Sequence, residues 1–191
     1  MPYPAQVHRS TLIEKARQLI ESDGIDQLTL QSLASAVGIA APSLYHHFKN
    51  KTALLAAVNT ATAAALVEAM TAASDAVLTE HADPTVALIF MLRAYRTFAH
   101  ANPATYSMVF ANTISALKPD PQTAEALALP LQAIMARVVG AEKALPALRG
   151  GWALAHGFVM LELAGQFRRG GDLDAAFETA VRTYIDGLRL V

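Results

Sequence analysis

The sequence predicts an all-α protein of about nine helices, and three observations carry that prediction. Alanine, the strongest helix former, supplies 39 of the 191 residues. Glycine and proline fall mostly between segments of helical periodicity, the pattern of helices joined by short turns. No alternating Val/Ile/Thr run with a hairpin turn competes, and no internal repeat divides the chain.

Each element has its own justification. The first helix is expected over about residues 7–22, where Leu12, Ile13, Ala16, Leu19 and Ile20 share one face and Glu14, Lys15, Arg17 and Glu21 the other. Gly24 stops it. Thr29 offers a hydroxyl N-cap to a two-turn second helix carrying Leu30, Leu33, Ala34 and Val37 at helical spacing, and Gly38 leaves it through a left-handed turn. Pro42 fits the first turn of a third helix whose Leu44 and Phe48 face inward. A long fourth helix starts near Lys51, carries Leu54, Leu55, Val58, Ala61, Ala65, Ala69 and Ala72 down one side, and fades near Thr79. The fifth, about residues 84–101, is apolar nearly all round and therefore expected at the centre. A shorter sixth follows Pro103, and Lys118-Pro119-Asp120-Pro121 forms the clearest internal loop. The seventh carries Pro130, whose missing N–H is expected to kink or break it. The eighth is expected over about residues 146–169, ended by Gly170-Gly171. Asp172 then caps the ninth, where Leu173, Ala176, Phe177, Ala180, Val181, Tyr184 and Leu188 make one apolar stripe.

Composition narrows the function classes. With 53% apolar and 16% charged residues the chain can build a sizeable core, which argues against intrinsic disorder. The formal charge of -1 supplies no global basic field, so any nucleic-acid binding has to be local. The absence of cysteine excludes disulfides, thiol catalysis and thiolate zinc sites and suits a cytoplasmic location. Met1-Pro2-Tyr3-Pro4 leads into a charged periodic stretch with no signal-peptide core. The longest stretch without Asp, Glu, Lys or Arg, residues 97–117, contains His100, Asn102, Pro103 and Asn112, too polar for a membrane span, so no membrane is expected.

The second and third helices with their glycine turn form a helix-turn-helix, whose second helix can enter a DNA major groove. With Leu44 and Phe48 inward, a rotation of 100° per residue points Pro42, Ser43 and His46 outward and puts Tyr45 and His47 on the flanks. Lys49 and Lys51 sit just beyond, where cations and a helix N-terminus favour a phosphate. By itself, the bare motif also occurs in helical proteins that never touch DNA.

The residue detail is more specific. The stretch Leu28-Thr29-Leu30-Gln31-Ser32-Leu33-Ala34-Ser35-Ala36-Val37-Gly38-Ile39, followed by Pro42-Ser43-Leu44-Tyr45-His46-His47-Phe48-Lys49-Asn50-Lys51 and Leu54-Leu55, resembles the DNA-binding domain of the TetR family of bacterial repressors. The resemblance implies a homodimeric, ligand-responsive transcriptional regulator that needs no cofactor and binds a double-stranded, palindromic DNA operator. It implies that Ser43, Tyr45, His46 and His47 face bases or phosphates, and that Thr29, Lys49 and Lys51 anchor the backbone. Gln31 stands where many members carry Arg, which weakens or removes one contact, and Ala40 and Ala41 offer thymine methyl contacts at best. Residues 1–52 are expected to form the DNA-binding domain and residues 53–191 a ligand-binding and dimerisation domain. Farther on, the segment from Gly151 to Leu161, with Trp152, His156 and Gly157, looks like that of a TetR subgroup with a Trp, His, Gly signature.

Competing chemistry finds little support. His156 and Glu162 lie on opposite sides of one helix, adjacent His46 and His47 diverge by 100°, and no Glu-x-x-His, phosphate loop or nucleophile elbow is present, so neither a metal nor an enzyme is expected. Phe90, Met91, Tyr95, Phe98, Tyr106, Met108, Phe110, Trp152, His156 and Met160 are singly core residues. Together they suit the wall of a pocket for a small apolar or aromatic effector. The eighth and ninth helices carry more apolar surface than one core covers. They are therefore expected to form a homodimer seam with Ala153, Gly157, Gly165, Phe177, Val181, Tyr184 and Leu188. The alternative of another class is a helical small-molecule binding protein whose helix-turn-helix is vestigial.

Overall fold

Helix α1 (Arg9–Asp23) buries Leu12, Ala16 and Ile20, the apolar stripe expected of it, in a computed structural model that describes residues 7–80, 83–110 and 114–189. The opening Met1-Pro2-Tyr3-Pro4 lies outside the described residues. Helix α2 (Leu30–Val37) is capped as anticipated: the Ser32 N–H donates to the Thr29 hydroxyl at 2.9 Å and the Thr29 N–H to the Ser32 hydroxyl at 2.8 Å. Gly38, at φ 72°, takes the left-handed turn, and the Ile39 N–H closes it on the Ala34 carbonyl. Helix α3 (Ala41–Leu44) is shorter than expected; residues 45–47 continue it as hydrogen-bonded turns until the Phe48 N–H reaches the Leu44 carbonyl. Asn50 caps helix α4 (Lys51–Glu80) through the Ala53 N–H at 2.8 Å.

The later elements are α5 (Pro84–Ala101), α6 (Pro103–Phe110), a 3-10 turn at Ser115–Leu117, α7 (Pro121–Val139), α8 (Ala141–Leu163) and α9 (Leu173–Leu188). Pro130 does not break α7. Its missing N–H forfeits the bond to the Ala126 carbonyl, and both residues are exposed, so water can satisfy that oxygen. Pro146 likewise sits inside α8. The end expected at Gly170-Gly171 is corrected: α8 stops at Gly165, φ 62°, where the Gln166 N–H bonds the Leu161 carbonyl and the Gly165 N–H that of Glu162. That paired arrangement is a Schellman motif.

These helices form two compact units, Met1–Ala63 with Asn102–Asp120 and Ala64–Ala101 with Pro121–Val191, so residues 102–120 pack with the N-terminal helices. The reason is side-chain packing in the first unit. Met108 and Leu117 join the core of Leu12, Ile20, Leu33, Leu44, Phe48, Leu54 and Val58. Glu21, placed by periodicity on a solvent face, accepts from the Ala104 and Thr105 N–H groups at 3.0 and 2.8 Å, a carboxylate at the positive end of α6. In the second unit α5 packs against α7, α8 and α9, the central position expected of it, and α7 meets α8 at 113° beside Gly140. Among the described residues α4 alone is by itself long and apolar enough to cross a membrane, but its Leu54, Leu55, Val58, Leu66, Met70 and Val77 are buried within the chain.

Candidate nucleic-acid interface

The first unit presents its chemistry around the α2–α3 turn. Leu44 and Phe48 are 0% and 2% exposed and anchor the segment to the core. Rotation about that anchor leaves Pro42, Ser43, Tyr45, His46 and Lys49 exposed, Tyr45 at 60%, while Ala41 and His47 are half-buried. Gln31 is exposed at the start of α2. Thr29 is exposed too, but its hydroxyl is committed to the cap with Ser32. Between Asp26 and Glu68 the sequence has no acidic residue, so Lys49 and Lys51 have no acidic neighbour along this stretch of chain.

Two cations depart from the sequence expectation. Lys51 turns inward: its ammonium donates to the Ile25 carbonyl at 3.0 Å and holds the α1–α2 loop against α4. Arg9, which periodicity did not single out, places its guanidinium carbon 4.9 Å from the Phe48 ring centroid. No sequence signal links residue 9 to residue 48; only folding brings α1 beside the end of the recognition segment.

The residues expected to wall an effector pocket divide between the units. Tyr106, Met108 and Phe110 belong to the first, with Tyr106 and Met108 in its interior and the Tyr106 and Phe110 rings 4.9 Å apart. The second brings Tyr95, Trp152 and His156 together: Trp152 meets the buried Tyr95 edge-on at 5.7 Å, and the Tyr95 hydroxyl and His156 Nδ1 share a hydrogen bond of 3.3 Å. Burial holds the His156 pKa below its ordinary value, which favours the neutral ring. Met91 is buried, Phe98 and Met160 are half-buried, and Phe90 is 40% exposed beneath the Arg93 guanidinium. A cavity of about 610 Å³ in this unit is lined instead by polar groups, among them Arg93, Arg96, Asp172, Asp174 and Glu178.

An ion-pair network that sequence reasoning missed ties α5 to α8 and α9. Arg96 makes a two-pronged contact with Glu162, at 2.7 and 2.8 Å, and reaches Asp174 at 2.7 Å. His100 adds a contact to Glu162 at 3.0 Å. The Arg96 hydrogen bonds pull the Glu162 pKa below the usual carboxylate value, against the opposing effect of burial. Arg93 pairs with Glu178 in the same two-pronged way.

The expected dimer seam is corrected at three residues, Phe177, Val181 and Tyr184, which are engaged within their own chain. Phe177 and Val181, 2% and 0% exposed, lie inside their own unit, with Phe177 edge-on to Phe158 at 5.1 Å. Tyr184 donates to the Ala147 carbonyl of its own chain. Gly165, which also forms the turn that ends α8, is exposed. Periodicity marked the apolar stripe of α9 but could not tell whether this chain or another covers it. Leu188 and Gly157 are half-buried, and Ala153 and Leu161 are exposed on α8, Leu161 at 45%.

Comparison with known proteins identifies the family. A family model described as bacterial regulatory proteins, tetR family, matches residues 12–58, and one described as tetracyclin repressor-like, C-terminal domain, matches residues 88–184. An uncharacterised HTH-type transcriptional regulator of Mycobacterium tuberculosis is 31% identical over 97% of this chain and 83% of its own. Among solved structures, a protein of unknown function from Rhodococcus matches with a TM-score of 0.75 at 24% identity, covering 98% of this chain and 100% of that one. A TetR variant from Acinetobacter baumannii in complex with minocycline matches with a TM-score of 0.70 at 26% identity, covering 97% and 98%.

Proposed function

Because this chain belongs to the TetR family of bacterial regulatory proteins, we propose that it is a homodimeric repressor. In this reading it binds a palindromic operator and is released by a small apolar or aromatic effector. The observation that carries the reading is the exposed set Ser43, Tyr45 and His46 on a segment fixed by buried Leu44 and Phe48, in a stretch of chain without acidic residues. Side chains held this way can read base edges, while neighbouring cations meet phosphates.

The dimer uses the outer face of α8, where Ala153, Gly157 and Leu161 recur at helical spacing, together with the neighbouring face of α9. A two-fold dimer places its recognition segments in successive major grooves and matches a palindrome. The effector site is built around Tyr95, Trp152 and His156, with Met91, Phe98 and Met160 as apolar wall. The neutral environment that depresses the His156 pKa supports an uncharged ligand with one polar handle. The subgroup with the Trp, His, Gly signature is read from Trp152, His156 and Gly157 alone. Helix α4 supplies residues to both units and is the coupling element, since tilting it would alter the separation of the recognition segments.

The test uses Trp152, the only tryptophan. Candidate effectors are titrated against its fluorescence with and without operator DNA, and linkage requires that DNA weaken the effector as much as the effector weakens DNA. An effector that quenches Trp152 with equal affinity in both cases refutes the regulatory coupling. Ligand binding with no salt-dependent DNA binding supports the alternative of a small-molecule binding protein.

A further inference from the structure

We infer that Arg9 grips a phosphodiester of the DNA backbone beside the recognition segment, while Lys51 serves as a strap within the protein. The inference rests on the DNA-binding reading above. Arg9 opens α1 and is exposed. Its guanidinium lies over the ring of Phe48, 4.9 Å from the centroid, and Phe48 is itself locked in the core of the unit. A guanidinium held against an aromatic face keeps its planar fork of N–H donors pre-ordered, the geometry that matches two oxygens of one phosphate.

Among the described residues no acidic side chain competes for that fork. Arg17, two turns along α1, is paired with Glu14 at 3.0 Å, whereas among the described residues no carboxylate pairs with Arg9. Residues 1–6 contain no acid either. Phe48 directly follows His46-His47, so a cation pinned to its ring sits at a fixed place relative to the side chains that would read bases. A phosphate held there would set the register of the whole segment on the duplex. Lys51, the cation that sequence spacing offers for this task, already donates to the Ile25 carbonyl at 3.0 Å.

The test measures binding across salt concentrations to two short duplexes, one from the region upstream of the protein's own gene and one unrelated. Each phosphate contact contributes about 0.9 to the slope of log K against log salt. Arg9→Ala should flatten the slope by about that amount on both duplexes with an unchanged melting temperature, and Arg9→Lys, which keeps the charge, should restore it. Lys51→Ala should keep the slope and lower the melting temperature. The inference is overturned by a wild-type slope in Arg9→Ala, by a slope that falls only together with the melting temperature, or by a Lys51→Ala protein that loses slope at full stability. A wild type that binds neither duplex overturns the DNA-binding reading itself, a result distinct from all of these.

Discussion

A methyl group built on Gly150 would lie 2.5 Å from the Tyr184 hydroxyl oxygen, because the tyrosine ring of α9 rests directly on the glycine pair of α8. The hydroxyl cannot swing away cheaply, since it donates to the Ala147 carbonyl one turn earlier. Gly150→Ala is therefore expected to destabilise the protein by up to about 2 kcal/mol, an overpacking cost of about 1–3 kcal/mol less the ~1 kcal/mol that alanine gains over glycine in a helix. Urea denaturation measures it. The double variant with Tyr184→Phe should recover part of the loss, and a Gly150→Ala protein at least as stable as wild type would show that the ring is not held there.

Gly157 offers the opposite case and a test of the dimer. Nothing lies within 4 Å of a methyl group at that position, so Gly157→Ala should raise the stability of the isolated protomer by up to about 1 kcal/mol. If α8 faces a second copy, the same change weakens association, and Leu161→Glu abolishes it by burying an unpaired charge. Phe177→Glu should instead unfold the protomer, because Phe177 is 2% exposed within its own chain. Sedimentation and circular dichroism separate these outcomes; a wild type that is monomeric at micromolar concentration rules the interface out.

At the DNA face, Ser43→Ala and His46→Ala are expected to change preference among operator variants by about 1–3 kcal/mol where a base contact is lost. Lys49→Ala should weaken binding to every sequence alike. Competition binding with single-base operator variants distinguishes the two patterns, and a uniform loss from all three substitutions would contradict base reading by Ser43 and His46.

Acid should loosen the second unit through Glu162. Its folded pKa is depressed below the ordinary 4.5, chiefly by the Arg96 hydrogen bonds, so the unfolded chain takes up the proton first. The stabilisation is complete above about pH 5 and is lost as pH falls through the depressed folded value. Glu162→Gln is expected to flatten that acid limb of the melting curve. At neutral pH it should cost about 2 kcal/mol, the order of a lost charged hydrogen bond, because Arg96 keeps Asp174 as a partner. A melting temperature with the wild-type acid dependence in Glu162→Gln would assign the limb to another group.

The helices themselves were legible because their signals are local. The Thr29 cap, the Gly38 turn, the bounds of α5 and the Asp172 cap each depend on residues within one or two turns, where hydrogen-bond geometry is set by sequence spacing. The same locality explains why the outward set Ser43, Tyr45 and His46 could be read from the inward Leu44 and Phe48 alone. The end of α8 at Gly165 was misjudged for a related reason. Whether a proline breaks a helix, or which glycine ends one, depends on whether solvent or the fold satisfies the freed backbone groups.

The sequence by itself determined that this chain is helical, where most of its helices begin and end, and which side chains of the α3 segment, Ser43, Tyr45 and His46, point outward. Only the tertiary structure decided who covers an apolar stripe and whom a charge meets. Phe177 and Val181 turned out to be buried by their own protomer, Arg9 to lie on Phe48, Lys51 to hold Ile25, and Arg96 to join Glu162 to Asp174. Periodicity fixes the direction of a side chain about its own helix axis, but its partner comes from a helix far along the chain. Burial and charge pairing are therefore settled only when the helices pack.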